Sequence, residues 1–260
     1  MGHWGATARS LFTAAIAALL VPAASLPAAA GDTTAVIELY TSQGCSSCPP
    51  ADKLAAELNE TRADLLVLSL AVDYWDFLGW TDTLASSENS DRQRKYAVRR
   101  GDQRVYTPQM VINGREHLVG SSRPQLEQAL AFEKRHFGPL PVDVELTVTA
   151  TSIDVSLTPM KAGKTMATVW ALPVSSQVEV QIGAGENSGR TIHYTNVVRK
   201  MLPVGMFEGQ PMTLRLPTSE LMGPGVDSVA VLVQQDSLGV PGPILGGRMV
   251  AAPLQSALRR

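Results

Sequence analysis

The chain has 260 residues, of which 45% are hydrophobic, 18% are charged and only 5% are aromatic. Its 22 basic and 24 acidic side chains give a net charge of −2 at pH 7. This balance excludes a polybasic nucleic-acid binder and an acidic disordered chain, because both classes carry a large charge of one sign. The length is sufficient for two domains.

Residues 1–30 predict a signal peptide. Arg9 is the only fully charged side chain in this segment, and it precedes an apolar run at 11–21 that is too short to span a bilayer. Small residues then lead to Ala30, where the pattern fits a cleavage site. We therefore expect a secreted or periplasmic protein, with a retained anchor helix as the alternative. No later stretch of the sequence is long and apolar enough for a membrane span.

The segment 31–138 predicts an α/β domain, because strand-like and helix-like patterns alternate along it. It includes a polar, helical insertion near 73–104. The predicted elements are a strand at 35–40, a helix after Pro50, a strand at 65–72, a helix at about 88–100 ended by Gly101, a hairpin turning at Asn113-Gly114, and a helix capped by Ser122.

The segment 139–260 predicts an all-β, sandwich-like domain. Apolar residues recur at every second position from Val142 to Val148, and further alternating segments follow between Gly and Pro turns. The stretch GAGENSG at 183–189 is predicted as a hairpin loop and not as a phosphate-binding loop, because it follows a strand pattern and precedes no helix.

Cys45 and Cys48 are the only cysteines, and they lie between a predicted strand and a predicted helix. The unpaired N–H groups and partial positive charge of a helix N-terminus stabilise a thiolate. We therefore predict redox exchange at an exposed helix tip, in which Cys45 is the attacking nucleophile and Cys48 resolves the mixed disulfide.

Two other interpretations of the cysteine pair remain open. An inert structural disulfide is one, although a bond that closes so short a loop removes little chain entropy from the unfolded state. A Cu(I) site formed by both thiolates is the other. No metal site is predicted, and zinc is disfavoured because the histidines show no ligand spacing.

Residues 35–137 resemble a thioredoxin fold, with the C-x-x-C pair at a helix start and Thr107-Pro108 before the hairpin. The resemblance implies that Pro108 is cis and faces the disulfide, and that an extended peptide pairs with the backbone beside it. It also implies that Glu38, a buried acid on the first strand, relays protons to Cys48. The alternative for Glu38 is a solvated strand edge.

More narrowly, the chain is similar to an exported thioredoxin-like family of uncharacterised function. The similarity lies in TSQGCSSCPPAD at 41–52, VDYWD at 72–76, TPQMV at 107–111, and the segment from GENSGR at 185–190 to NVVR at 196–199. Gly44 and the Ser-Ser pair between the cysteines differ from ordinary thioredoxins. Pro49 disfavours a helical conformation of Cys48, and it is tolerated only in the first helical turn.

The segment 73–80 follows the carboxyl end of the second strand, where ligands approach open α/β sheets. Asp73, Tyr74 and Trp75, together with Thr107, are therefore candidates for a substrate-facing wall. The alternative is an aromatic plug that packs the insertion. Six basic residues from Arg92 to Arg104 are interpreted as a solvated helix face, and the alternative is a cluster that lowers the Cys45 pKa or binds an acidic partner.

These observations predict an exported thiol–disulfide oxidoreductase that exchanges disulfides with protein or small-molecule thiols. Its working group would be the Cys45–Cys48 disulfide, with no other cofactor and no nucleic-acid partner. A binding or assembly module with a static disulfide, and a Cu(I)-handling protein, are the alternatives.

Overall fold

The computed structural model describes residues 1–3, 33–161 and 163–252. Nearly all of the predicted signal peptide, including its cleavage site, lies outside the described residues. Within the described part of the chain, every helix is too short or too polar to cross a membrane.

The first half of the chain alternates strands and helices, in the predicted order. Ser86 caps the second helix by accepting from the Asn89 N–H, and Gly101 ends it in a left-handed conformation, with φ of 77°. The elements are β1 (Ala35–Thr41), α1 (Pro49–Thr61), β2 (Leu65–Ala71), a 3-10 helix (Asp76–Leu78), α2 (Ser87–Arg100), β3 (Gln109–Ile112), β4 (Glu116–Val119) and α3 (Arg123–Phe137).

The second half is mostly strands. They are β5 (Val142–Val148), β6 (Ser152–Pro159), β7 (Ala167–Gln181), β8 (Thr191–Val198), β9 (Leu202–Phe207), β10 (Met212–Pro217), β11 (Ser228–Ser237) and β12 (Val240–Ala251), with a short helix α4 (Thr218–Leu221) before β11. The sequence pattern did not reveal β9 or β12. The glycines and prolines in β12 obscure its strand pattern, because both residue types are ordinarily depleted in strands.

One mixed sheet of nine strands runs through both halves, in the order β12-β11-β7-β8-β2-β1-β3-β4, with β9 paired to the start of β7. Parallel pairing of β2 with β8 makes the connection, with Ser69 opposite Val197. The Ser69 hydroxyl reinforces it by donating to the Thr195 carbonyl at 2.7 Å. The segments 31–138 and 139–260, which were expected to form successive domains, therefore contribute strands to a single sheet.

A second sheet, in the order β10-β6-β5, packs on the larger one as in a sandwich. Val144 and Leu157 from the small sheet join Val169 and Val231 from the large sheet in one buried apolar cluster.

The two faces of β1 pack against different helices. Ile37 and Leu39 point to one face, where they contact residues of α1 and α3. Tyr40 points to the opposite face and packs with Tyr96 of α2. The turn after β1, which carries the cysteines, is therefore placed at the edge of the sheet where α1 begins.

Candidate functional site

Cys45 and Cys48 form a disulfide, with their Cα atoms 5.4 Å apart. Cys48 directly precedes α1, and Pro49 and Pro50 occupy its first helical positions, where a missing N–H breaks no helix hydrogen bond. Cys48 has φ of −78° and ψ of −37°, a helical conformation. The expectation that Pro49 would keep Cys48 out of this region was therefore wrong.

Both cysteines are enclosed. Cys45 is 1% exposed and Cys48 is 0% exposed. The expected exposed helix tip is therefore not present. The reason is that segments far away in the sequence, the loop between β7 and β8 and the insertion after β2, pack over the turn that carries Cys45.

Asn187 is the main contact between the β7–β8 loop and the cysteine turn. It is 0% exposed, and its Nδ2 donates to the backbone carbonyls of Gln43 and Cys45, both at 2.9 Å. The neighbouring Glu186 accepts from the backbone N–H of Ser46 at 3.3 Å. This loop is a hairpin loop, as predicted, because β7 and β8 are antiparallel neighbours.

Gln43 and Asp82 fix the turn from the other side. Asp82 accepts from the Gln43 backbone N–H at 2.7 Å, and the Gln43 side chain accepts from Trp80 Nε1 at 2.7 Å. Burial raises the pKa of Asp82. The Trp80 ring also packs against Gly183 of the β7–β8 loop, where an added Cβ would lie 2.8 Å from the ring.

The structure places Trp75 beside Gly44, the residue before Cys45, and Thr107 beside Trp75. An added Cβ on Gly44 would lie 3.0 Å from the Trp75 Cβ, so a larger residue next to Cys45 would require the tryptophan to shift by a few tenths of an ångström. Trp75 Nε1 donates to the Thr107 hydroxyl at 2.8 Å. The Thr107–Pro108 peptide bond is cis, as predicted, and Pro108 is buried.

Tyr74 and Asp73 bind α2 instead. The Tyr74 hydroxyl donates to Gln93 at 3.0 Å, and Asp73 accepts from the Ser90 hydroxyl at 2.5 Å. Burial raises the pKa of Tyr74 to about 12. Of the proposed substrate-facing wall, Trp75 therefore lies beside Gly44 of the cysteine turn, whereas Tyr74 and Asp73 bind α2.

Glu38 is buried, but it faces the α2 side of the sheet, away from α1. It accepts from Arg92 Nε at 2.7 Å and from the Tyr96 hydroxyl at 2.6 Å. Both neighbours of Glu38 on the strand, Ile37 and Leu39, face α1. The structure therefore does not bring Glu38 to the disulfide, and Arg92 is a buried partner of Glu38 instead of part of a solvated helix face.

Asp52 is the acid that sequence reasoning missed. It lies on α1 one turn after Cys48, its N–H donates to the Cys48 carbonyl at 3.1 Å, and it is 2% exposed. The Thr41 hydroxyl donates to Oδ1 at 2.7 Å, whereas Oδ2 has no hydrogen-bond partner among the described residues. Burial raises its pKa to about 8, against the lowering effect of Thr41.

Tyr194, from β8 in the second half of the chain, adds a second buried polar group near Asp52. Its hydroxyl has no partner among the described residues, and its pKa is raised by burial and by the charges of Asp52 and Asp82. Asp52 from the first half of the chain and Tyr194 from the second half therefore form a buried polar region next to the cysteine turn.

The family model described as "Protein of unknown function (DUF1223)" matches residues 36–234. The chain belongs to this family. A crystal structure of an Agrobacterium tumefaciens protein is 34% identical, with a TM-score of 0.76, and the match covers 85% of this chain and 95% of that one. No functionally curated protein matches the chain.

Hydrogen-bonding groups accompany the disulfide of this DUF1223 chain. Within 33–161 and 163–252, no three His, Cys, Asp or Glu side chains are grouped as a metal site requires. One signal in the sequence could have revealed Asp52: it follows Cys48 by four residues, which places both on one face of a helix. Asn187 lies in the GENSGR segment of the family similarity, but no spacing in the sequence relates it to the cysteines.

Proposed function

We propose that this protein exchanges disulfides through Cys45 and Cys48, and that residues 35–137 form a thioredoxin-like unit. The order of strands and helices from β1 to α3 and the position of the cysteine pair at the start of α1 support this assignment. The predicted signal peptide supports a periplasmic or secreted location, where disulfides persist.

Asp52 is the observation that carries the proposal. A buried carboxyl group with an unpartnered oxygen destabilises the fold, and a purely structural disulfide does not require such a group. Helical side chains tilt toward the helix N-terminus, so we infer that the Asp52 carboxyl group is directed toward the turn that contains Cys48. With a pKa of about 8, it can give or take a proton near neutral pH.

The exchange begins when a partner thiolate attacks Cys45 Sγ. A mixed disulfide forms, the Cys45–Cys48 bond breaks, and Cys48 leaves as a thiolate that takes the proton of Asp52. A second partner thiolate then attacks the partner sulfur of the mixed disulfide, which releases Cys45 as a thiolate and leaves the partner with a disulfide. Two electrons pass from partner to protein, and the reverse sequence reduces a partner disulfide.

The test uses the Cys48→Ser and Cys45→Ser variants as a matched pair. After incubation with oxidised glutathione, mass spectrometry should find a glutathione adduct on Cys45 in the first variant and far less adduct on Cys48 in the second. The wild-type protein should also cycle between disulfide and dithiol in a glutathione buffer under native conditions. A wild-type disulfide that resists reduction until the protein unfolds would overturn the proposal.

The enclosure of both cysteines favours a second candidate, a binding module whose disulfide is a static clip. In that case the double variant Cys45→Ser/Cys48→Ser keeps its biological activity, and the wild-type disulfide is reduced only on unfolding.

A further inference from the structure

The β7–β8 loop binds the cysteine turn through two side chains, and the buried one is Asn187. Asn187 uses both of its N–H donors, one for the Gln43 carbonyl and one for the Cys45 carbonyl. Its Oδ1 accepts from Arg190 Nη1 at 3.0 Å, so the orientation of the amide is fixed within its own loop. The asparagine is fully satisfied only when the loop lies over the turn.

The two carbonyls lie on either side of Gly44 and define the backbone that presents Cys45. The Cys45 carbonyl also accepts from the Cys48 N–H at 3.1 Å, so Asn187 binds the same atom that closes the turn between the two cysteines. Displacement of Asn187 leaves that internal hydrogen bond and the disulfide in place. The loop can therefore leave the turn without breaking it.

The loop has backbone features suited to such a movement. Gly185 and Gly189, on either side of Asn187, have φ of 77° and 79°, a region that glycine adopts without strain. Ser188, next to Asn187, is exposed and its hydroxyl donates to Gly183 within the loop. Asn187 and Glu186 are the loop residues that bind the cysteine turn.

We propose that Asn187 is a positioning residue that holds the Cys45 turn and must release it before a partner reaches Cys45 Sγ. The inference rests on the proposed exchange function, and it adds that the second half of the chain controls access to the disulfide. Because the hydrogen bonds go to backbone carbonyls, which water can bind once they are exposed, release requires no change in the cysteines themselves.

The test compares Asn187→Ala with Ser188→Ala, its exposed neighbour in the same loop. Each folded full-length chain is treated with tris(2-carboxyethyl)phosphine and free thiols are followed in time. The phosphine gives two electrons to the disulfide and becomes the phosphine oxide, with oxygen from water, while both sulfurs end as thiols. We expect Asn187→Ala to react at least tenfold faster than the wild type, and Ser188→Ala to stay within twofold. A sample unfolded in urea gives the rate of an unprotected disulfide.

Asn187→Asp separates a positioning role from a general loss of stability. An ionised carboxylate offers no donor to the two carbonyls, so at pH 7 this variant should react as fast as Asn187→Ala. A protonated carboxyl regains one donor. The ratio of its rate to that of Asn187→Ala should therefore fall as the pH decreases toward 4, an effect that simple destabilisation would not produce.

The outcomes for the loop and for the exchange function are distinct. Equal reduction rates in the wild type, Asn187→Ala and Ser188→Ala would refute the role of Asn187, while glutathione cycling by the wild type would still support exchange. Fast reduction of Asn187→Ala without glutathione cycling in any folded variant would refute the exchange function, and with it the proposed role in access.

Discussion

Arg92 donates through Nε to Glu38 Oε1 at 2.7 Å, at a point where Glu38 has no exposed surface. Arg92 also donates through Nη2 to Gln234 of β11 at 2.8 Å, and Gln234 donates to the carbonyl of Gly242 at 2.7 Å. The ion pair therefore connects β1 and α2 of the first half to β11 and β12 of the second. Its role is to hold the two halves together.

Removal of one member of this pair should be far more damaging than removal of both. Arg92→Met leaves the Glu38 charge buried and unpaired, which should lower the free energy of unfolding by about 3–5 kcal/mol. The double variant Glu38→Leu/Arg92→Met removes both charges and should recover much of that loss. Urea unfolding of the wild type, Arg92→Met, Glu38→Leu and the double variant measures the coupling between the two side chains. Additive losses in the two single variants would contradict the coupling.

Gly114 makes a second contact between the halves. Its φ is 67°, and an added Cβ would lie 2.2 Å from the backbone oxygen of Gly242. Gly114→Ala should therefore destabilise the fold by about 3 kcal/mol or more, because left-handed strain and a backbone clash combine. Gly101→Ala is the matched control: φ is 77°, but no described heavy atom lies within 4 Å of the added Cβ, so only about 1 kcal/mol should be lost. Similar losses in thermal or urea unfolding would rule out the clash.

The sequence was a good guide to local structure in the first half. The Asn113-Gly114 turn, the Ser122 cap and the glycine end of α2 depend on neighbouring residues only, and the structure contains all of them. The pairing of β2 with β8 could not be predicted, because it joins Ser69 to Val197, residues that no local pattern relates.

The environment of the cysteines was predicted poorly for the same reason. Strand alternation placed Glu38 on one face of β1, but could not say that Arg92 would cover that face. Asp52 is buried by a contact with Thr41 of β1 and by the approach of β8, and no local pattern in the sequence indicates the approach of β8. Asn187, which donates to the Cys45 carbonyl, is 142 residues away in the sequence.

Asp52 should make the stability of the protein fall as the pH rises. In the unfolded chain its pKa is near the ordinary 3.8, whereas burial raises it to about 8 in the fold. Between these values the folded state binds one more proton, so the free energy of unfolding decreases with pH, by at most about 1.4 kcal/mol per pH unit. Asp52→Asn cannot ionise and keeps an acceptor for Thr41.

Urea unfolding at pH 5, 6, 7, 8 and 9 measures this effect. The stability of Asp52→Asn relative to the wild type should increase across the series and level off above about pH 8. Glu60→Gln, which replaces an exposed acid on the same helix, should show no such increase. A constant difference between Asp52→Asn and the wild type would mean that Asp52 is ionised throughout, and would contradict the raised pKa.

The same carboxyl group should shape the pH dependence of disulfide reduction. Attack of dithiothreitol on Cys45 expels Cys48 as a thiolate, and a protonated Asp52 can supply its proton, so the rate per reductant thiolate should fall above about pH 8. Below pH 8, the disulfide of Asp52→Asn should be reduced about ten- to a hundredfold more slowly than that of the wild type. The rate of Asp52→Asn should also show no decrease above pH 8, because an amide does not titrate in this range. Stopped-flow measurements from pH 6 to 9.5, with Glu60→Gln as the control, test both the slower rate and the missing decrease. If Asp52→Asn and the wild type give the same pH profile, Asp52 does not transfer the proton and has no role in the proposed exchange.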